Sequence, residues 1–460
     1  MTRPGRASSA LSPVALAVGA LLVAGPLAAS AQASPSPAAV SQAVVTWSGT
    51  PVPVAGVDVV RSLPALHAAV VRGSAASLAR LARTRGVRGL APDDAVVLTG
   101  GAGSGPGVRA AEGLSGPAGT PQAGRGVRVA LVDTGVTDTA ALSRAGGRLV
   151  DAVDTSHGDP VTSGVFDDGY GHGTFLASVL AGGTTSTVKH PVGVAPGATV
   201  LVVRVADRAG ETSLSRVLGG LDWVAAHASS VDVANLSFSH QRPAEAYGAD
   251  PLTDAVERVR SAGVTVVVSA GNTAGQVGDP GFDPRIVSVG AADLPAEQVA
   301  AFSGSAVVAG VRRPDVVASG VGVLGLLPPD SVIGRSVTPR ADGLSRGTGS
   351  SQATAVVSGA VALLLAQHPD ATPAQVKASL RSAAVDLPGE RDGAGLLRTP
   401  KQLVGGPDGT GPAGSGDLSG EGGFDASSWS ASSWSASSWS ASSWSASSWS
   451  ASSWSASSWS

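Results

Sequence analysis

Between Val127 and Leu397 the apolar positions fall in two alternating rhythms. The short runs VRVALV (Val127–Val132), TVLVVRVA (Thr199–Ala206), VDVANLSFS (Val231–Ser239) and VTVVVSAGN (Val264–Asn272) are rich in β-branched residues and end at turn formers. That pattern predicts strands buried on both faces. LSRVLGGLDWVAAHA (Leu214–Ala228) and DAVERVRSAG (Asp254–Gly263) are spaced as helices, and Gly263 ends the second. A further apolar helix begins within RGTGSSQATAVVSGAVALLLAQHPD (Arg346–Asp370). Strands alternating with helices imply an α/β fold, a mainly parallel sheet covered by helices on both faces. Such sheets carry ligands beyond the carboxyl ends of their strands, so the residues directly after each strand are where chemistry is expected.

The stretch before it has a different rhythm. AVVTWSG (Ala43–Gly49), VDVVRSLPALHAAVVRG (Val57–Gly73) and GLAPDDAVVLTG (Gly89–Gly100) read as strands. SAASLARLARTRGV (Ser74–Val87) sets Leu78, Leu81 and Ala82 against Arg80, Arg83 and Arg85, a short amphipathic helix. Together they predict a small α+β unit. GGAGSGPG (Gly100–Gly107) then reads as a flexible, exposed linker.

Both ends of the chain fall outside these rhythms. Residues 1–33 carry Arg3 and Arg6, an apolar run from Val14 to Leu27, and small residues at Ala29, Ala31 and Ala33, the layout of a cleaved secretory signal. The run is short for a membrane span, and no other segment is expected to cross a bilayer. Residues 401–460 form a Gly-rich linker and then seven copies of ASSWS from Ala426 to Ser460, a composition that predicts disorder. The evenly spaced tryptophans offer contact with a cell wall or surface. A net charge of −3 without a basic run argues against nucleic acid as a partner. The absence of cysteine excludes disulfides and thiolate metal sites.

Four positions at strand ends or helix starts carry chemistry. Asp133 ends VRVALVD, His172 lies between two glycines at the start of a helix, Asn272 follows VVVSAG, and Ser351 opens the apolar helix. A serine hydroxyl attacks only when a base takes its proton, and histidine is the natural base near neutral pH. A carboxylate fixes the imidazole tautomer. The oxyanion formed from an attacked carbonyl needs preset donors, here the Asn272 amide and the free backbone N–H of Ser351 in the first helical turn. Each has an ordinary alternative. Ser351 or its neighbour Ser350 serves as a helix cap. Asp154, Asp167 and Asp168 compete with Asp133. His157 and His240 sit in polar loops, and His368 marks a helix C-terminus.

Taken together, these blocks resemble the subtilisin-like serine peptidases, the subtilase family, over roughly Gly126 to Leu397. The resemblance rests on ALVDTGV around Asp133, Gly171-His172-Gly173-Thr174, Ala270-Gly271-Asn272, and a serine block anchored on Val357-Ser358-Gly359. It implies that Asp133, His172 and Ser351 form a catalytic triad and that Asn272 holds the oxyanion. It implies further that Ser237-Phe238-Ser239 pairs with substrate, and that Ser269-Ala270-Gly271 lines the opposite side of the pocket for the residue before the cleaved bond. Gln352 stands where the family commonly has methionine, and Ala355 where it has proline. The domain layout expected is a signal peptide (1–33), an inhibitor-like pro-segment with linker (34–107), a peptidase domain (108–400) and the repeat tail (401–460). No cofactor is implied. Family members often bind calcium, but no ligand set stands out, and no metal site is assigned. The expected partners are protein or peptide substrates and the chain's own pro-segment as intramolecular inhibitor, in a secreted monomer. The alternative is an inactive scaffold held at the cell surface by its Trp repeats.

Overall fold

The computed structural model describes residues 40–49, 53–102, 108–109, 121–240, 250–308, 310–389 and 391–397. The signal and repeat-tail segments lie outside the described residues. The amino-terminal unit comprises β1 (Val40–Trp47), β2 (Val57–Leu63), β3 (Ala68–Ser74), α1 (Ala75–Ala82) and β4 (Val87–Pro92). Its strands form an antiparallel sheet in the order β2-β3-β1-β4. Side chains alternate across a strand. Ala43, Val45, Ala69 and Val71 therefore pack on Leu78 and Leu81 of α1, while Val44 and Val70 point the other way. Ser74 caps α1 by accepting from the Ser77 N–H at 3.2 Å.

A short strand, β5 (Ala95–Leu98), leads out of this unit, followed by β6 (Gly101–Ala102) and β7 (Val108–Arg109). The main sheet is then built from β8 (Arg128–Asp133), β9 (Leu149–Asp154), β10 (Thr199–Arg204), β12 (Val233–Leu236), β14 (Thr265–Ser269) and β15 (Val287–Asp293). In space they run β15-β14-β12-β8-β10-β9, all parallel. The strand β16 (Gln298–Val299) joins β15 antiparallel and β19 (Val316–Ser319) joins it parallel. The two-residue strands β11 (Thr212–Ser213) and β13 (Phe238–Ser239) flank β5. A hairpin of β17 (Ala306–Val308) and β18 (Val311–Arg313) stands apart, and β20 (Val323–Gly325) and β21 (Ser345–Thr348) pair with β7 and β6.

Helices cover both faces, as the alternating pattern predicts. The helices α2 (His172–Ala181), α5 (Ser350–Gln367) and α6 (Pro373–Ser382) share a core with Val129, Leu131, Val200, Val202 and Val267. On the other face α3 (Leu214–Ala226) and α4 (Pro251–Ser261) pack with Ala130, Val132, Leu201 and Val203. That second core also takes in Val44, Leu63, Leu66, Ala68, Val70 and Ala91, so the inner face of the amino-terminal sheet rests on α3 and α4. By length and composition α5 is able to cross a membrane, contrary to expectation. It is instead the buried central helix, with 83% of it enclosed by the protein.

The exposed linker expected from Gly100 is not what the structure contains at its start. Gly100 is buried, and Gly101–Ala102 pairs with Gly347–Thr348 as an edge strand. Glycine allows close backbone approach, and here that serves a paired strand rather than flexibility. Residues 103–107 lie outside the described residues.

Candidate active site

Asp133 ends β8, and its Oδ1 lies 2.8 Å from Nδ1 of His172, the first residue of α2. Both are buried, and the same Oδ1 accepts from the Thr134 N–H at 2.8 Å. His172 is held there by the way its helix begins. The Gly173 N–H donates to Thr134 Oγ1 at 2.9 Å, and the Thr174 N–H to Asp168 Oδ2 at 2.8 Å. Asp168 Oδ1 also accepts from Thr134 Oγ1 (2.8 Å) and the Gly171 N–H (2.7 Å). Orphan donors of the helical first turn are thereby satisfied by Thr134 of the Asp133 loop and by Asp168 of the loop before α2, and the Thr134–Asp168 bond ties the two loops together. A Cβ on Gly173 would run into the carbonyl of Gly135, which is why glycine follows the histidine. Asp168, which competes with Asp133 in the sequence, is thus the clamp between the two loops. Burial pushes its carboxyl above the usual range, and four of its hydrogen bonds oppose that shift.

Ser350 and Ser351 open α5 but do different things. Gly349 is the N-cap, and no side chain caps the helix, so the cap expected of Ser350 is not found. The Ser350 N–H and hydroxyl instead donate to Asn272 Oδ1, at 2.9 and 2.8 Å. The Ser350 hydroxyl also contacts Ser269 Oγ at 2.6 Å. With its oxygen fixed, Asn272 turns its Nδ2 the other way, onto the carbonyl of Thr99 at 2.6 Å. The Ser351 N–H donates to the same carbonyl at 3.3 Å. The Ser351 hydroxyl lies 2.9 Å from Thr99 Oγ1 and 3.3 Å from the Ser237 carbonyl. Among the described residues His172 Nε2 has no hydrogen-bond partner. A Cβ at Gly100 would collide with it, so the peptide between Thr99 and Gly100 lies between the serine and the imidazole.

The chain before Thr99 is held as an added strand. Leu98 pairs with Phe238 and Val97 with Ser239, antiparallel, while Val96 and Ala95 pair with Thr212 and Ser213 on the other side. The Thr99 N–H donates to the Ser237 carbonyl at 3.1 Å. A small cleft beside it is lined by Ser239, Ala270, Gly271, Asn272, Thr273 and Gln276–Gly278. Ser269 lies behind that wall, bonded to the Gly271 N–H and to Ser350. The sequence gives no direct sign of Thr99 or Gly100 as site residues, because their partners are far along the chain.

His240 is not in the polar loop expected of it. It is buried, with Nε2 2.6 Å from Asp94 Oδ1. Its ligating atoms and those of Asp250 and Asp279 lie within 4.8 Å of one another. Asp250 Oδ2 is already the cap of α4, accepting from the N–H groups of Leu252 and Thr253, and Asp279 Oδ1 accepts from Thr253 Oγ1. Calcium takes about six to eight oxygen ligands. One imidazole and two committed carboxylates do not fit it, so no step below passes through a metal.

The profile described as the subtilase family matches residues 124–408. The chain is 31% identical over 283 residues to serine protease AprX of Bacillus subtilis, covering 56% of this chain and 61% of AprX. It is 30% identical over 279 residues to a subtilisin of Bacillus pumilus, covering 57% of this chain and 86% of that protein. Among solved structures, fervidolysin of Fervidobacterium pennivorans, a keratinolytic enzyme related to subtilisin, superposes with a TM-score of 0.63 at 22% identity, over 80% of this chain and 61% of that one. This chain therefore spans under two thirds of the length of AprX and of fervidolysin.

Proposed function

The chain belongs to the subtilase family, and on that premise we propose that it is a secreted serine endopeptidase whose first substrate is its own peptide bond between Thr99 and Gly100. One observation carries the reading: the Thr99 carbonyl accepts from both the Ser351 N–H and Asn272 Nδ2. Two donors converging on one carbonyl oxygen beside a serine hydroxyl are what a developing oxyanion needs.

The steps follow from the atoms present. Ser351 Oγ attacks the Thr99 carbonyl carbon while its proton passes to His172 Nε2. Asp133, on Nδ1, keeps the imidazole in the accepting tautomer and stabilises it once charged. The oxyanion is held by the Ser351 N–H and the Asn272 amide. Its collapse breaks the bond to the Gly100 nitrogen, which takes the proton from His172. Water then hydrolyses the Ser351 ester by the same sequence in reverse roles. In this uncut state the Ser351 hydroxyl is directed to Thr99 Oγ1, so a small rotation toward His172 must come first. Catalytic hydrogen bonds commonly tighten only on the way to reaction.

The unit at residues 40–98 acts as an inhibitory pro-segment in this reading, since it fills the groove that Ser237-Phe238-Ser239 offers to substrate. The apolar leader at residues 1–33 supports export, and the Trp repeats after Ala426 supply surface contact. Processing tests the whole. Wild-type protein should yield a new N-terminus at Gly100, and Ser351→Ala should accumulate uncut and fail to react with a fluorophosphonate. Normal processing of Ser351→Ala in a protease-deficient host would defeat the proposal.

A further inference from the structure

His240, directly after β13, is only 2% exposed, yet among the described residues its Nδ1 has no hydrogen-bond partner. The other ring nitrogen lies 2.6 Å from Oδ1 of Asp94, a side chain that is 48% exposed. An ionised carboxylate only accepts, so Nε2 carries a proton, and in the neutral ring Nδ1 keeps its lone pair. Two buried carboxylates lie beside that nitrogen. Asp279 Oδ2 is 3.9 Å from it, and one ligating atom each of His240, Asp250 and Asp279 lie within 4.8 Å of one another. The three residues are held from behind. The His240 N–H donates to the Asp279 carbonyl at 2.8 Å, and the Asp279 N–H to the His240 carbonyl at 3.1 Å. Asp279 Oδ1 accepts from Thr253 Oγ1, and Asp250 Oδ2 from the N–H groups of Leu252 and Thr253. Each carboxylate is thus oriented through one oxygen, as the outer shell of a metal site orients its ligands.

We propose that His240, Asp250 and Asp279 bind a divalent first-row transition ion of the zinc type, with Asp94 as the carboxylate that orients the histidine. The donor set that fails calcium suits such an ion. Imidazole is a good ligand for zinc and its neighbours in the row, and two carboxylates balance two positive charges. Zinc commonly takes three protein ligands and a water in the fourth position. Bonds of about 2.0–2.2 Å put ligand atoms roughly 3.4 Å apart, so the trio has to close by about 0.5–1.5 Å. The backbone pairing of His240 with Asp279 confines that closure to side chains. A carboxylate on the outer nitrogen is the usual support of a zinc-bound histidine: it fixes the tautomer and makes the ring a stronger ligand. Asp94 lies between β4 and β5, in the amino-terminal unit, whereas the three ligands belong to the body. Where that unit is the inhibitory segment proposed above, ion and segment strengthen each other's binding by the same factor.

Zinc alone, titrated into tag-free, chelator-treated Ser351→Ala, tests the site in the uncut chain. One zinc per chain should survive gel filtration, raise Tm and resist excess calcium. His240→Gln should lose it. Asp94→Asn should still bind one zinc, but roughly 10- to 100-fold more weakly. No retained zinc in the uncut chain, or the same retention in His240→Gln, would overturn the site. Should His240→Gln fail to fold, X-ray absorption at the zinc edge decides: one imidazole with oxygen ligands supports the site, and two or more imidazoles overturn it. Unchanged affinity in Asp94→Asn would overturn the orienting role. On processed enzyme, zinc should tighten inhibition by added segment by roughly 10- to 100-fold. Unchanged inhibition with zinc bound would overturn the link to the segment and leave the site standing. If the chain never processes itself, the functional reading fails, while zinc uptake by the uncut chain still reads the site.

Discussion

The amino-terminal sheet and the main sheet are both covered by helices, yet they are held together differently. The strands of the body are buried on both faces by helices of the same body, as with Val200 and Val202 on one side and Leu201 and Val203 on the other. The amino-terminal unit owns only one core, made of Ala43, Val45, Ala69, Val71, Leu78, Leu81 and Leu90. Its other face, with Val44, Leu63, Leu66, Ala68, Val70 and Ala91, belongs to the core of α3 and α4. Its edge strand leaves Val59 66% and Val60 49% exposed. A unit this small buries too little on its own to be more than marginally stable. One of its two faces is thus completed only by the body, as the face of a bound ligand would be.

The comparison predicts that chemistry and docking can be broken separately. The larger effect is on chemistry. Asn272→Ala removes one of two donors to the Thr99 carbonyl and nothing from the docked sheet. The turnover number on peptides, and the rate of self-processing, should fall by roughly 10²–10³, while KM moves little. Rates of processing and peptide assays on purified variant check this. A large rise in KM at unchanged kcat would mean that the amide shapes the groove instead.

The next effect is on docking. Thr46 Oγ1 of β1 donates to Asp254 Oδ2 of α4 at 2.8 Å, both groups buried, and Arg88 pairs with the same carboxylate at 3.0 Å. Burial raises the Asp254 carboxyl, which Arg88 and Thr46 oppose. Thr46→Val keeps the shape and removes the donor, leaving a buried oxygen unmet. Inhibition of processed enzyme by added segment should weaken roughly tenfold, about 1.4 kcal/mol, with kcat unchanged. Equal inhibition by both segments would show that the shared apolar face alone decides docking.

The body was more legible in the sequence than the segment, for a physical reason. A parallel sheet forces continuous apolar runs, and its chemistry must sit where those runs end, so Asp133, His172, Asn272 and Ser351 could be picked out and the structure brings them together around one carbonyl. The roles of Thr99 and Gly100 depended on contacts across more than two hundred residues, such as Thr99 with Ser351, which no local pattern reports. Composition misled at Gly100, since a glycine that lets a backbone thread past His172 looks the same as one in a loose linker. It misled at His240 as well, whose polar neighbours in sequence gave no hint of a buried place against Asp94. Asp168 and Ser350 were visible as polar residues near the blocks. Their jobs, clamping α2 to the Asp133 loop and fixing the Asn272 oxygen, are set by tertiary geometry.

The smallest effect is on the body's own stability, and it tests whether the two regions are independent in their response to pH. Glu257 on α4 shares Arg285 with Asp283: its Oε1 lies 2.7 Å from Arg285 Nε, and Asp283 Oδ1 lies 3.5 Å away. Burial first, and then the neighbouring Asp283, push the Glu257 carboxyl up to about 8, and Arg285, half exposed to water, only partly offsets them. The folded state therefore holds this proton more tightly than the unfolded chain does. The stabilisation is full below the ordinary value of 4.5 and is lost as pH rises through about 8. Tm should fall between about pH 4.5 and 8 in the wild type and level off above that, and Glu257→Gln, which cannot ionise, should flatten that fall. The amino-terminal unit has no share in this cluster. Uncut Ser351→Ala and processed enzyme should then lose Tm in parallel over that range, differing by a constant offset that measures what the docked unit contributes. If the fall is confined to the uncut form, the pH response comes from the docked interface, where Asp254 also carries a raised carboxyl, and the body would have to be regarded as indifferent to pH in its own right.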